Sequence, residues 1–131
     1  MIFIDTSVVV AILAAEDDAS SWAERIEEAS SRATSPLVLL EAAMRLSTKL
    51  DLDPRVIGAA LDDFLREAEI GVVPIERDDM ELAVAAFSDY GKGRGHPAQL
   101  NLADCLSYAC AKRRGLRLLY KGNDFSKTDM A

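Results

Sequence analysis

Short segments of strand length alternate with helical segments along these 131 residues. The chain opens on an apolar run at residues 1–4, and further strands are predicted at residues 32–35, 72–75 and 116–120. Parallel strands need crossover connections, and the helical segments between these strands supply them. The alternation therefore predicts an α/β protein, a three-layer α/β/α sandwich with a short central parallel sheet covered on both faces.

Capping residues mark the predicted helix boundaries. Thr6 or Ser7 is expected to cap the first helix, and Asp18 is expected to cap the second. Cap–proline pairs and helical spacing predict further helices at residues 35–50, 53–70, 76–90 and 101–114, with a glycine-rich loop at 92–99. Trp22, Phe64 and Phe87 occupy apolar helical positions and are expected in the core. No linker or repeat interrupts the pattern, so one domain over residues 1–131 is expected.

Charge is distributed unevenly along the chain. The sequence holds 15 basic and 22 acidic side chains, and its formal net charge of −7 argues against nucleic-acid binding, which depends on Lys and Arg. Residues 92–127, however, hold 8 of the basic side chains and only 2 acidic ones. The average therefore hides a basic segment that follows an acidic body.

Other features bear on the cellular compartment. No apolar run approaches the ~20 residues of a membrane helix, and no basic region precedes an apolar signal sequence. Cys105 and Cys110 lie about 140° apart on one predicted helix, so they are not expected to pair. We expect a cytoplasmic protein with reduced thiols and no membrane association.

Four carboxylates occupy positions where an acid needs an explanation. Asp5 directly follows the first strand and Asp124 follows the last, at the sheet edge where ligands bind. Glu41 and Asp104 each interrupt an apolar helix face, where an ionised carboxylate is costly without a cation or donors. Each acid alone has an ordinary explanation, such as a helix cap, a solvated turn or the edge of an apolar stripe. Together they predict a cluster that binds a hard cation such as Mg²⁺ or Mn²⁺.

Other catalytic motifs are missing from the sequence. There is no Cys/His spacing for zinc, and His96 is the one histidine available to a nucleophile–histidine–acid triad. No G-x-S-x-G, P-loop or strand-linked G-x-G-x-x-G is present.

These residues resemble the motifs of the PIN-domain family. The opening Met-Ile-Phe-Ile-Asp5-Thr6-Ser7, the Ser-Pro-Leu-Val-Leu-Leu-Glu41 helix, Asn101-Leu-Ala-Asp104 and Lys121-Gly-Asn123-Asp124 match in order and spacing across the whole chain. More narrowly, the stretch Gly-His-Pro-Ala-Gln-Leu-Asn-Leu-Ala-Asp-Cys-Leu-Ser-Tyr-Ala at residues 95–109 resembles the VapC toxins of bacterial type II toxin–antitoxin systems.

The resemblance implies an Mg²⁺- or Mn²⁺-dependent endoribonuclease, normally a homodimer, that a VapB-type antitoxin silences. The implied catalytic and metal-binding residues are Asp5, Glu41, Asp104 and Asp124, supported by Thr6, Ser7, Asn101 and Asn123. Asp5 and Asp104 would hold the principal ion, with Glu41 and Asp124 assisting it or holding a substrate-dependent one. A metal-activated water would attack the phosphodiester, leaving 5′-phosphate and 3′-hydroxyl ends. Some relatives carry a further acid where this chain has Asn123, which weakens the case for a firmly held second ion.

The implied RNA contacts lie in the basic segment. The residues expected to contact RNA are Lys92, Arg94, His96 and Lys121. Lys112, Arg113, Arg114 and Arg117 extend the basic segment, and the first three of these could instead complement a helix C-terminus. Tyr108 either lines the site or packs. Surplus apolar residues on the second and fourth helices are expected to form a dimer patch.

Two alternatives remain open from the sequence. A phosphatase of another α/β class would also use an acid after the first strand, but it needs a second aspartate at the position of Ser7. A catalytically silent PIN-fold binding module would keep the fold and the acids while acting through its partner.

Overall fold

Four strands and six helices alternate in the computed structural model, which describes residues 1–131. The strands are β1 (Ile2–Ile4), β2 (Arg32–Thr34), β3 (Gly71–Val72) and β4 (Arg117–Leu119). The helices are α1 (Thr6–Leu13), α2 (Ala19–Glu28), α3 (Pro36–Leu50), α4 (Pro54–Glu67), α5 (Arg77–Tyr90) and α6 (Leu102–Arg113). The predicted α/β class is confirmed.

The strands form one parallel sheet in the order β3-β2-β1-β4. The central strand β1 pairs Ile2 with Arg32 of β2 and with Arg117 of β4. Because all four strands are parallel, their carboxyl ends meet at one edge of the sheet. Asp5 leaves β1 at that edge.

The core surrounds β1. Phe3 and Ile4 are both fully buried, and since successive strand residues point to opposite faces, both faces of the sheet are covered. Val8 and Val9 of α1 and Ala109 and Ala111 of α6 belong to the same apolar cluster. Cys105 and Cys110 are buried and unpaired, as expected. None of the helices has the length and apolar character needed to cross a bilayer.

Two of the cap predictions need correction. Asp5, rather than Thr6 or Ser7, is the N-cap of α1, and its carboxylate accepts a hydrogen bond from the Ser7 N–H. Asp18 is the N-cap of α2 but makes no side-chain cap; its carboxylate accepts from Trp22 Nε1 at 2.9 Å instead. The predicted cap–proline pairs at 35–36 and 53–54 are confirmed as the starts of α3 and α4.

The third strand and one aromatic residue also differ from expectation. The predicted buried strand at 72–75 is instead the exposed edge strand Gly71–Val72, since Pro74 has no N–H for a ladder. Phe87 is 44% exposed rather than in the core. Trp22 and Phe64 are half-buried and pack against the core.

A buried ion-pair cluster joins α5 to α6. Asp79 is fully buried, and its carboxylate accepts from Arg113 Nε at 3.1 Å, Arg114 Nη1 at 2.8 Å and the Glu76 N–H at 2.8 Å. Burial alone would raise the pKa of Asp79, but these hydrogen bonds and the two guanidinium charges outweigh it and lower that pKa. Arg113 and Arg114 therefore stabilise the fold.

Candidate metal centre

Asp5 stands at the carboxyl end of the central strand. It is buried, and its Oδ2 accepts hydrogen bonds from the Ser7 N–H at 3.1 Å and from Ser7 Oγ at 2.7 Å. Ser7 Oγ also accepts from the Lys121 N–H at 2.9 Å. One hydroxyl thus ties the end of β1 to the turn that follows β4 and carries Asp124.

Asp104 occupies the first turn of α6 within a reciprocal cap. The Asp104 N–H donates to Asn101 Oδ1 at 2.9 Å, and Asp104 Oδ2 accepts from the Asn101 N–H at 3.1 Å. This capping box satisfies two backbone donors at the helix start and fixes the carboxylate beside the sheet edge. Asn101 therefore holds the Asp104 carboxylate directly.

The four predicted acids act on one another electrostatically. Burial raises the pKa of Asp104 to about 7; the Asn101 N–H opposes this shift, and the charges of Asp124, Asp5 and Glu41 add to it. Burial also raises the pKa of Asp5, against the hydrogen bonds from Ser7, and the Glu41 charge contributes in the same direction. Glu41 is half-buried on α3, and Asp124 is exposed in the turn after β4. Four carboxylates from distant parts of the chain therefore share one electrostatic field.

The carboxylates are coupled without forming a ready ligand cage. No three acidic, cysteine or histidine side chains stand close enough together to enclose a metal ion. Asp5 and Asp104 each use one carboxylate oxygen to cap a helix, so these local hydrogen bonds fix where each carboxylate lies. The donor chemistry nevertheless fits a hard divalent cation, because the groups are all oxygen ligands whose repulsion a cation would relieve. Thr6 Oγ1, next to Asp5, is buried without a hydrogen-bond partner and is a further polar atom left unsatisfied here.

Ser107 and Glu16 are contributors that the sequence reasoning missed. Ser107 is buried on α6 one turn after Asp104, and its hydroxyl helps to lower the pKa of Asp5. Its spacing of three residues from Asp104 was the available signal. Glu16 accepts from Lys121 Nζ at 2.7 Å and from Lys49 Nζ at 2.9 Å, which connects α3 to the turn after β4.

The expected nucleic-acid contacts divide into free and paired cations. Lys92 and Arg94 are exposed on the loop before α6, and the Arg94 guanidinium lies 6.0 Å from the Phe87 ring centre. His96 is half-buried; its Nδ1 accepts from the Ala98 N–H at 3.0 Å, and its ring meets Tyr90 edge-on. Gly93 and Gly95 have φ of +82°, a backbone conformation that suits glycine.

Lys121 and the C-terminal part of α6 have structural partners. The Lys121 ammonium pairs with Glu16 and with Asp18 at 3.0 Å, so it is not a free charge. The Tyr108 hydroxyl and the Lys112 ammonium both bind the Asp129 carboxylate, so Tyr108 is buried in the middle of α6 with its hydroxyl paired to Asp129. Asn123 contributes its carbonyl to Ser126 Oγ at 2.8 Å and is exposed.

Comparisons with known proteins agree over the whole chain. The family model described as "PIN domain" matches residues 2–130. Ribonuclease VapC28 of Mycobacterium tuberculosis is 46% identical over 125 residues, which cover 95% of this chain and 92% of that protein. A VapC ribonuclease of Rhizobium meliloti is 42% identical over 141 residues, covering 99% of each chain.

Solved structures show the same fold at lower sequence identity. The toxin VapC20 of Mycobacterium tuberculosis, described as cleaving the sarcin–ricin loop, superposes with a TM-score of 0.75 at 20% identity, covering 96% of this chain and 93% of that one. A toxin–antitoxin complex from Klebsiella pneumoniae contains a chain that superposes with a TM-score of 0.72 at 17% identity, covering 99% of this chain and 94% of that one.

Proposed function

The chain belongs to the PIN-domain family, among the VapC ribonucleases, and from that premise we propose that it is the endoribonuclease toxin of a toxin–antitoxin pair. The observation that carries the proposal is that four carboxylates share one electrostatic field: burial raises the pKa of Asp104, and the charges of Asp124, Asp5 and Glu41 raise it further. Such a cluster is stable when it takes up protons or a cation. Cation binding at this edge suits cleavage of a charged phosphodiester.

Mg²⁺ or Mn²⁺ is the proposed cofactor, held by Asp5 and Asp104 with Glu41 and Asp124 assisting. When bound, such an ion supplies a more acidic water and neutralises charge on the phosphate. Ser7 holds the Asp5 carboxylate in place, and the Asn101 cap does the same for Asp104. Lys92, Arg94 and His96 are the residues proposed to contact RNA before α6.

Metal removal is the direct test of this function. We expect the purified protein to cleave a mixture of structured RNAs with Mg²⁺ or Mn²⁺, to lose cleavage in excess EDTA, and to regain it when metal is restored. In a melting experiment Mn²⁺ should raise the melting temperature, because a ligand at a hundred times its Kd adds about 2.7 kcal/mol to the free energy of unfolding. RNA cleavage that persists in EDTA would contradict the proposal, and turnover of a chromogenic phosphate monoester would favour the phosphatase.

Removal of the Ser7 hydroxyl should weaken the proposed metal site without abolishing metal binding. Ser7→Ala deletes the donor to Asp5 and the acceptor for the Lys121 N–H, so we expect roughly tenfold slower cleavage and about 1–2 kcal/mol lower stability. Ser7→Thr keeps a hydroxyl and should restore most of the rate. Ser47→Ala, which removes a hydroxyl bonded only within α3, is the matched control for RNA cleavage kinetics and urea unfolding. Equal rates for Ser7→Ala and Ser47→Ala would disprove the role of Ser7.

We propose that the homodimer forms through α5 and the start of α6, rather than through the second and fourth helices. The large exposed apolar residues of this region are Met80, Val84, Phe87 and Leu102, and Leu102 is 76% exposed. They line a wholly apolar cavity of about 280 Å³ that also includes Ala83, Cys105 and Leu106. A patch of this kind is typical of an association surface.

The antitoxin is proposed to use a different apolar surface. Leu40 and Met44 are exposed on α3, on either side of Glu41 along the helix. A VapB-type partner that covers them would bring a basic side chain within reach of the carboxylates.

Light scattering of single variants separates the two surfaces. Phe87→Glu should convert the dimer to a monomer that still binds the antitoxin, whereas Met44→Glu should leave the dimer intact and weaken antitoxin binding at least about tenfold. Val56→Glu, at an exposed position on α4, is the matched control. A wild-type protein that is a strict monomer and ignores the antitoxin would contradict both proposals.

A further inference from the structure

The outer edge of β4 has no partner strand. β4 is the last strand in the sheet order and pairs with β1 alone. The Arg117 N–H donates to the Met1 carbonyl at 3.1 Å, and the Leu119 carbonyl accepts from the Asp5 N–H at 3.0 Å. In a parallel ladder the intervening residue faces the other way, so the N–H and carbonyl of Leu118 point away from β1. Neither group has a backbone hydrogen-bond partner.

A groove large enough for a short peptide runs along this edge. The cavity beside Leu118 has a volume of about 560 Å³, with Leu116, Tyr120 and Met130 among its apolar lining. A second cavity of about 380 Å³ shares Arg25, Arg117 and Leu118 with the first. The three residues of β4 span roughly 10 Å at a rise of about 3.3 Å per residue, which is the length of a short added strand.

Two unpaired guanidinium groups flank the open edge. Arg25 and Arg117 are exposed and take part in none of the salt bridges of the protein. Arg25 makes only a stacking contact, 4.9 Å from the Trp22 ring centre. Lys112 in the same groove is already neutralised by Asp129. The other unpaired charged side chain of the groove is Glu28 in the second cavity, so its two free guanidinium groups face one free carboxylate and leave a net positive charge in a protein of net charge −7.

We propose that the β4 edge binds an extended acidic peptide segment of another protein, which adds a strand to the sheet beside Leu118 and places carboxylates on Arg25 and Arg117. The free N–H and carbonyl of Leu118 match a peptide backbone, and guanidinium groups bind carboxylates bidentately. A second copy of this chain is disfavoured as the partner strand, because its Arg25 and Arg117 would repel the same two residues of the first copy. Peptide binding at this edge is independent of ribonuclease activity, since it uses the outer edge of β4 and not the carboxylates.

Peptide binding with a charge swap tests the proposal. The probes are fluorescein-labelled heptapeptides in which Glu alternates with Val, Ile or Tyr, and matched peptides in which Lys replaces Glu. Fluorescence anisotropy should give a Kd below about 1 mM for acidic peptides and at least about tenfold weaker binding for the lysine peptides. Arg25→Glu/Arg117→Glu should reverse this preference, and Arg66→Glu, at an exposed site on α4, should leave it unchanged. A reversal is a result that partial unfolding would not produce.

Amide exchange and competition identify the mode of binding. Acidic peptide should slow hydrogen exchange at the Leu118 amide, and N-methylation of alternate peptide residues should abolish binding by removing ladder donors. The proposal fails if no acidic peptide binds at about 1 mM, or if acidic and lysine peptides bind equally. It also fails if a single-stranded RNA oligonucleotide occupies the edge instead, or if charge reversal changes only self-association in sedimentation.

Discussion

Asp104→Asn should reduce RNA cleavage by at least about a hundredfold while leaving the protein folded. The substitution removes one charge from the proposed cation site, and a bound ion supplies several kcal/mol of transition-state stabilisation, each ~1.4 kcal/mol being a factor of ten. The asparagine keeps an oxygen acceptor for the Asn101 N–H, so the cap of α6 survives. Single-turnover cleavage of an RNA substrate at saturating Mg²⁺ measures the loss.

The same variant should be at least as stable as the wild type in EDTA near pH 8. Burial and the three neighbouring charges raise the pKa of Asp104 to about 7, so its ionised form costs free energy in the metal-free protein. A neutral asparagine removes that cost. Asp62→Asn, at an exposed position on α4, is the control and should cleave at the wild-type rate. Cleavage by Asp104→Asn within threefold of this control would exclude Asp104 as a ligand.

Asp79→Asn should have the largest effect on stability. The carboxylate is fully buried and accepts from two arginines and a backbone N–H, and loss of one partner from a buried ion pair costs about 3–5 kcal/mol. Because Arg113 and Arg114 retain some solvent contact, we expect the free energy of unfolding to fall by about 3 kcal/mol. Urea unfolding measures it, and the melting temperature should fall by roughly 10 °C.

The stability difference between the wild type and Asp79→Asn should depend on pH, which gives a second check. Because the pKa of Asp79 is lowered below its ordinary 3.8 in the folded protein, its ionisation favours folding above pH 3.8. That contribution disappears as the pH falls through the lowered value, so the wild type and Asp79→Asn should converge in stability on acidification. Asp78→Asn, one residue earlier and exposed, should stay within about 0.5 kcal/mol of wild type. Parallel curves for Asp79→Asn and wild type across this range would show that the ion pair is not the cause.

Local sequence signals predicted the elements well where the chemistry is local. The cap–proline pairs at Ser35 and Asp53 predicted the starts of α3 and α4. The alternation of apolar segments with helices predicted the parallel sheet. The third strand was misplaced because its apolar residues resemble a buried strand, whereas strand position in a sheet depends on partners far away in sequence. Phe87 likewise occupies a core-like helical position whose exposure depends on what packs against α5.

The candidate site was predicted in its four acids and in the supporting residues Ser7 and Asn101, whereas other supports were missed. Order along the chain and family resemblance pointed to the four acids, whose role as ligands stays a prediction. Ser107 had only a weak local signal, its spacing of three residues from Asp104, and Glu16 acts through a contact with Lys121 that no local pattern encodes. The basic segment shows the same limit: Arg113 and Arg114 bind a buried acid on another helix, and that partner, Asp79, looked like an ordinary first-turn residue of α5.

The pairing of β1 with β4 means that the folded form depends on synthesis of the chain as far as β4 and the turn after it. Residues 2–4 leave the ribosome more than a hundred residues before their partners at residues 117–119, and the Ser7 bond to Lys121 forms later still. At about 5–20 residues per second, the interval is roughly ten seconds. A nascent or truncated chain that stops before β4 lacks both the strand and Asp124. RNA cleavage would therefore begin only after β4 and the turn that carries Asp124 have been synthesised.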